Sequence, residues 1–199
     1  MKPWVVTIEL RDYWHCGAGR GGGAVLDAVV QRDHAGVPLL PGRHLKGLLR
    51  DALERAAAWD WPGYAGLAGQ LFGQRTEEAE GPSNPTPGCL RVSDACLPGE
   101  VRAWLADDRQ RSLRAGLFRG LYATAIDERS GTAKDASLRG IEVVVPLQLR
   151  ASLAAIPGRT APPEDWVQKL AKVLPLIDAI GAHRSRGLGR AVLSLKEAA

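Results

Sequence analysis

Leu45, Leu48, Leu49, Leu53 and Ala56 recur at the i, i+3, i+4 spacing of a helical face that packs on a core, so the pattern predicts a helix from about Gly42 to Ala58. Ahead of it, Trp4 to Leu10 mixes β-branched and aromatic residues and predicts an opening strand. Val25 to Gln31 reads as extended again, and Asp33-His34-Ala35-Gly36 has the chemistry of a turn. Further on, Cys89 to Ala95 alternates as a strand does, Gly116 to Ile126 is compatible with a helix or a strand, and Ile141 to Leu149 predicts a strong strand. After Pro162 and Pro163, the residues Trp166, Leu170, Val173, Ile177 and Ile180 follow alternating steps of four and three. They predict a second helix, bent by Pro175, before HRSRGLGRAVLSL leads into a last strand.

The intervening segments have a different composition. Cys16 to Ala24 is glycine-rich, which removes side-chain bulk. Trp59 to Pro87 shifts to Gly, Pro, Glu and Ser around one apolar island, Gln70-Leu71-Phe72-Gly73. It predicts a partly disordered surface connection and not a domain boundary. Asp127 to Gly140 is a polar excursion. Reduced to its core, the order is strand, helix, strand, strand, helix, strand. That is an α+β chain with a ferredoxin-like, RNA-recognition-motif-like core, in one domain spanning 1–199 with insertions at about 11–40, 59–87 and 127–140. Such an order hosts many unrelated activities and assigns none.

Length and charge narrow the class. A chain of 199 residues can bury a substantial core, and a formal net charge of +4, from 26 Lys and Arg against 22 Asp and Glu, is modest enough that placement matters more than total. Three cysteines without Cys-x-x-Cys spacing argue against a disulfide framework and against structural zinc, and they fit a reducing cytoplasm. The first residues do not form a signal peptide, and no apolar run is long enough to span a bilayer, so no membrane partner is expected.

The basic residues fall into clusters: Arg20 in the glycine-rich stretch; Arg43, Lys46 and Arg50 on the side of the first helix opposite its apolar face; Arg129, Lys134 and Arg139 in the polar excursion; and Arg184, Arg186 and Arg190 in the last loop. Glycines beside arginines let a phosphate backbone approach the main chain, where amides donate alongside side chains, so a polyanion can tie the clusters together. Solvated surface charge is the plainer reading of any one cluster.

In order, LDAVVQRDHAGVPLLPGRHLKGLLRDALE, GCLRVSDA, TAIDERSGTAKDASLRGIEVV and GAHRSRGLGRAVL resemble the RAMP superfamily, and within it the repeated backbone subunit of type III CRISPR effector complexes. The resemblance implies a modified RNA-recognition-motif core in a protein of antiviral defence, with copies stacked into a filament along a CRISPR RNA guide beside other type III subunits. Each copy inserts a thumb hairpin that flips out a nucleotide at regular intervals. It places guide contacts on Arg43, His44, Lys46 and Arg50 and on the loop Arg184, Ser185, Arg186, Gly187 and Gly189, with Arg20 as a further basic contact. The thumb falls on about Ile126 to Ile141, where Thr132, Ala133 and Lys134 approach the kinked base pair, Leu138 acts as a wedge and Arg139 adds charge. Positions 43–44 read Arg-His where a Ser-Ser pair is common, which replaces a hydroxyl contact with a charged one.

The same resemblance puts the family's catalytic aspartate on Asp27. The implied reaction is attack by a ribose 2′-OH on the adjacent phosphate of complementary target RNA, with Asp27 as general base or as a ligand of a hydrated divalent ion, Mg2+. A loop carboxylate that caps a turn or pairs with Arg20 or Arg32 is the plainer reading of Asp27, and a non-catalytic scaffold that binds guide RNA without cutting is the alternative for the chain. A nuclease that trims precursor CRISPR RNA usually carries two tandem cores, for which this chain is too short. Asp33 reads as a turn residue, His15 and His34 as structural residues able to act as acids or bases, and His15-Cys16 as an unsupported metal pair. Asp94 reads as a loop anchor. Trp4 and Trp166 read as core, while Trp14, Trp59 and Trp61 are open between core and base stacking.

Overall fold

The computed structural model describes residues 2–23, 25–74 and 86–198. Four strands, β1 (Trp4–Leu10), β2 (Leu90–Val92), β5 (Gln148–Ala155) and β6 (Ala191–Glu197), form an antiparallel sheet in the order β2-β5-β1-β6. Counting only these four, the order is that of a ferredoxin-like sheet. β1 occupies the centre, with Trp4 opposite both Leu153 and Glu197 and Ile8 opposite both Leu149 and Leu193. The two-residue period of a strand then sends Val6, Ile8 and Leu10 to one face, where all three are buried.

Helices α1 (Gly42–Ala58) and α5 (Trp166–Val173) cover that face. On α1 the buried positions are Gly42, Leu45, Leu49, Ala52, Leu53 and Ala56, so the predicted stripe is buried at Leu45, Leu49, Leu53 and Ala56, Leu48 lies at its edge, and Gly42 and Ala52 add to it. Each fully buried leucine is worth roughly 1.5–3 kcal/mol of transfer free energy. α5 buries Trp166, Leu170 and Val173 and stops there, because the chain tightens into a 3-10 turn over Leu174–Leu176 at Pro175. Trp166 meets Trp4 edge-on, with ring centroids 6.4 Å apart; Trp166 belongs to the core as expected, and Trp4, half-buried, packs against it. Trp14 is also fully buried, whereas Trp59 is exposed.

A second sheet, β3 (Phe118–Ala123) paired with β4 (Arg139–Val144), is a hairpin inserted between β2 and β5. The apolar run from Ile141 to Leu149 is therefore not one strand: its first part closes the hairpin and its second part enters the main sheet. Pro146, which has no amide to donate, marks the break.

One further expectation is corrected, and two elements are added. Residues 59–74 are not a bare surface connection, since α2 (Leu67–Phe72) buries Leu67, Leu71 and Phe72 in the core. Its flanking glycines, Gly66 and Gly73, take φ of 70° and 88° and bound the helix, and their abundance masked a helical stripe of Leu67, Ala68, Leu71 and Phe72. The remainder of the segment expected to be disordered, residues 75–85, lies outside the described residues. α3 (Gly99–Ala106) and α4 (Arg111–Ala115) were not foreseen. Among the described residues no helix is long and apolar enough to cross a membrane.

Candidate nucleic-acid interface and cleavage site

The start of α1 is fixed from a distance. Pro41 supplies no side-chain cap, and the first amide, on Gly42, donates instead to Asp94 Oδ1 at 2.7 Å, which makes Asp94 the anchor it was read as. A Cβ at position 42 would stand 2.5 Å from the Val92 carbonyl oxygen, so only glycine lets the helix dock this closely on β2. Arg43 is exposed and His44 and Lys46 are half-buried around this turn. Arg50, one turn on, is not a free cation: its Nε donates to Glu54 at 2.7 Å.

The last glycine loop comes alongside. Arg184–Arg186 forms one 3-10 turn between His183 and Gly187, both in left-handed conformation, and its three side chains are exposed. Gly189 donates to the Tyr13 carbonyl at 2.7 Å and approaches the Ile180 carbonyl too closely for any side chain. Two electrostatic effects report the resulting proximity. Burial lowers the His44 pKa and the positive charge of Arg184 lowers it further, while burial raises the Cys16 pKa against the opposing pull of Arg43. His44 Nε2 is buried with no hydrogen-bond partner among the described residues. Arg184, distant in sequence, thus stands close to His44, the neighbour of Arg43 at the start of α1.

Asp27 lies beside the outer end of the β3–β4 ladder, where Tyr122 pairs with Gly140 and the tip begins. Residues 17–22 and 26–30 fold into an irregular hairpin arm through Ala18 N to Val29 O, Val29 N to Arg20 O and Gly22 N to Leu26 O, which leaves Arg20 exposed on its outer run. The returning run lies parallel to β4: Asp27 N donates to Gly140 O at 2.7 Å, Gly140 N donates to Asp27 Oδ2 at 2.9 Å, and Glu142 N donates to Ala28 O at 2.9 Å. Asp27 is exposed, and its other oxygen accepts no hydrogen bond among the described residues. The pairing with Arg32 entertained from sequence does not form. Arg32 instead donates to Glu142 Oε1 at 2.5 Å, and its guanidinium lies 3.6 Å over the centre of the Phe118 ring.

Glu142 was missed by sequence reasoning. It is buried, accepts from Val30 N at 3.0 Å through Oε2, and its carbonyl lies 2.6 Å from Nδ1 of the buried His15. The signal was available: a glutamate inside the apolar run IEVVV is a charge that must be paired. His15 is structural, and its own carbonyl accepts from Ala182 N at 2.8 Å, so it ties the middle of β4 to the last glycine loop. Asp33 is the turn residue it was read as; His34 is exposed beside Arg102.

The hairpin tip, residues 124–138, is held by local bonds. Asp127 Oδ1 accepts the amides of Ser130 and Arg129, which lower its pKa, and Asp127 N donates to Thr132 O at 2.8 Å. Ser137 Oγ donates to Lys134 O at 2.6 Å, and Ile126 bridges to Ala133. Thr132, Ala133, Lys134 and Arg139 are exposed, while Leu138 and Ile126 present apolar side chains that are 66% and 61% exposed.

Among the described residues no group of three or more His, Cys, Asp or Glu could hold a metal ion. A lone carboxylate with one open oxygen fits only an ion that keeps most of its water and shares RNA phosphates, the mode typical of Mg2+.

No curated protein matches the chain. Among solved structures, it is similar to a chain of the Type III-B Cmr-beta bound to cognate target RNA, with a TM-score of 0.71 at 12% identity, over 98% of this chain and 97% of that chain. It is likewise similar to a chain of the Type III-B Cmr-beta in the apo state, with a TM-score of 0.69 at 11% identity and the same coverage. At such identities these likenesses speak to the fold, a mixed α+β core with an inserted hairpin. Residues 7–192, nearly the whole chain, match the model of the RAMP superfamily, and the chain belongs to that superfamily.

Proposed function

We propose that the protein is a guide-binding backbone subunit of a type III CRISPR effector complex that assists cleavage of complementary target RNA through Asp27. The observation that carries this reading is the meeting, at the outer end of the β3–β4 ladder where the thumb begins, of an exposed carboxylate with one open oxygen and that projecting thumb, on the same scaffold as the basic surface around His44 and Arg184. His15 joins the two by contacting both Glu142 and Ala182.

The basic surface binds the guide through phosphates, using Arg43, Lys46, Arg184 and Arg186 with backbone amides near Gly187 and Gly189. Bound copies stack along the guide beside other subunits of the complex. The thumb, with Leu138 at its exposed wedge, opens the guide–target duplex beside Asp27. A nucleotide freed from helical geometry can align its 2′-OH in line with the adjacent phosphate, which a regular duplex forbids. Asp27, fixed by the Gly140 amide, turns its open oxygen toward that hydroxyl as general base or holds a hydrated Mg2+ there.

A guide-holding scaffold without cleavage has one observation on its side, since among the described residues no group of three or more His, Cys, Asp or Glu gathers to hold a metal ion at Asp27 or elsewhere. The test loads the protein with guide RNA and presents an end-labelled complementary target with Mg2+. Regularly spaced cuts that Asp27→Ala removes without weakening guide binding are expected. Tight guide binding with no cut by the natural chain overturns the nuclease reading and leaves the scaffold.

A further inference from the structure

The arm that carries Asp27 also walls a groove of about 320 Å³, bounded by Leu26 and Ala115 and floored by Phe118 and Arg32. That volume lies at the small end of ligand pockets, about 300–1,000 Å³. The floor is built in layers. The Phe118 ring, itself buried, backs one face of the Arg32 guanidinium at 3.6 Å, and Glu142 Oε1 clamps its edge at 2.5 Å. The Arg32 side chain nevertheless remains 38% exposed and lines the groove. An arginine held this way has already lost its rotamer freedom and offers a fixed planar surface.

The charges argue for a planar ligand over an anion. Glu142 neutralises Arg32, and the neighbouring Arg119 spends Nη1 on the carbonyls of Gly116 and Phe118. The Arg32–Glu142 pair leaves little net charge at Arg32 to draw a phosphate. A nucleobase needs only the plane: bases stack on guanidinium faces, and because every base has a π-face such a seat tolerates any sequence. Leu26, at the rim, is the residue next to Asp27.

We propose that this groove receives the nucleobase of the target nucleotide beside the cleaved phosphate, stacked on the Arg32 plane. The proposal rests on Asp27 as the cleavage site. It makes Arg32 a positioning residue, since stacking holds the nucleotide while Asp27 faces its sugar.

The experiment uses guide-loaded protein and two kinds of target. In the first, 4-thiouridine is placed at successive positions, with a 2′-deoxy sugar preventing cleavage, and crosslinked peptides are mapped by mass spectrometry. Crosslinks to the segments holding Arg32 or Phe118 from the nucleotide beside the cut, and not from its duplexed neighbours, are expected. In the second, cleavage rates are compared for intact targets and for targets abasic at that nucleotide. Arg32→Lys, which keeps the charge facing Glu142 but lacks the plane, slows cutting of the intact target by about tenfold or more. On the abasic target Arg32→Lys and the natural chain cut equally slowly. Equal slowing of both targets by Arg32→Lys, or crosslinks confined to other segments, overturns the groove assignment. Absence of cutting by the natural chain instead refutes Asp27 as the cleavage site, and the crosslinks, which need no cutting, still decide the groove.

Discussion

Asp27 and Asp33 belong to the same insertion, yet the fold treats their carboxylates in opposite ways. Both oxygens of Asp33 are occupied: Oδ1 accepts the amides of Ala35 and Val37 at 2.8 and 3.1 Å, and Oδ2 accepts Arg102 Nε at 2.6 Å. Its side chain is 5% exposed, and although burial alone would raise its pKa, the Arg102 guanidinium and the two amides outweigh burial and hold it below the ordinary aspartate value. Asp27 is exposed, with one oxygen on the Gly140 amide and the other open. A carboxylate committed to the fold saturates its lone pairs, whereas one that can act on a ligand is aimed by a single bond and keeps the rest free. Asp33 anchors α3 to the turn; Asp27 is positioned by β4 and left available.

Substitutions can break or sharpen this contrast. The largest effect is expected at Asp27→Ala, which lowers single-turnover cleavage by roughly 10²–10⁴-fold, the range of a lost general base, and changes folding stability by no more than about 1 kcal/mol, the worth of one hydrogen bond. Asp33→Ala does the reverse: it costs about 1–3 kcal/mol in denaturant unfolding, because Arg102 and two amides lose their acceptor, and leaves the cutting rate of folded complexes near that of the natural chain. Because the folded-state pKa of Asp33 is lowered, its ionic contribution is fully present above the unfolded value of about 3.9 and fades as pH falls through the folded value. Stability measured against pH for the natural chain and Asp33→Asn therefore begins to converge only below about pH 4.

Gly42→Ala tests the other half of the site. A methyl group there meets the Val92 carbonyl, and the helix start must shift at a cost of about 1–3 kcal/mol, seen as a lowered unfolding midpoint together with weaker guide binding. The smallest effects are expected among the cations. Arg43→Ala should flatten the slope of log affinity against log salt by about 0.7, the value for one lost phosphate contact on a single strand, and Arg50→Ala by clearly less, since Arg50 is engaged by Glu54. Equal slopes for the two variants would mean that the ion pair opens on binding.

Much of the frame was legible in the sequence, because periodicity reports burial directly. The α1 stripe from Leu45 to Ala56, the β1 alternation and the Pro175 break were all visible, and they place the core strands and helices of the ferredoxin-like sheet. What escaped notice depends on pairings remote in sequence. The Ile141–Leu149 run looks like one strand until β3 claims its first part, and α2 hides its stripe among glycines whose positive φ is apparent only in the fold. At the candidate site, the residue types of Asp27, Arg43 and Arg184 could be singled out, but not the agents that position them. Glu142 and His15 act through contacts at separations of more than a hundred residues, which no local spacing encodes.

The central claim is that Asp27, and not its saturated neighbour Asp33, serves the cutting of target RNA. The most direct measurement compares Asp27→Ala and Asp33→Ala, each loaded with guide and matched for folded protein, on one end-labelled complementary target with Mg2+. The account predicts an intact ladder of regularly spaced cuts from Asp33→Ala and none from Asp27→Ala, with equal guide binding. A ladder from Asp27→Ala at the rate of the natural chain would contradict it.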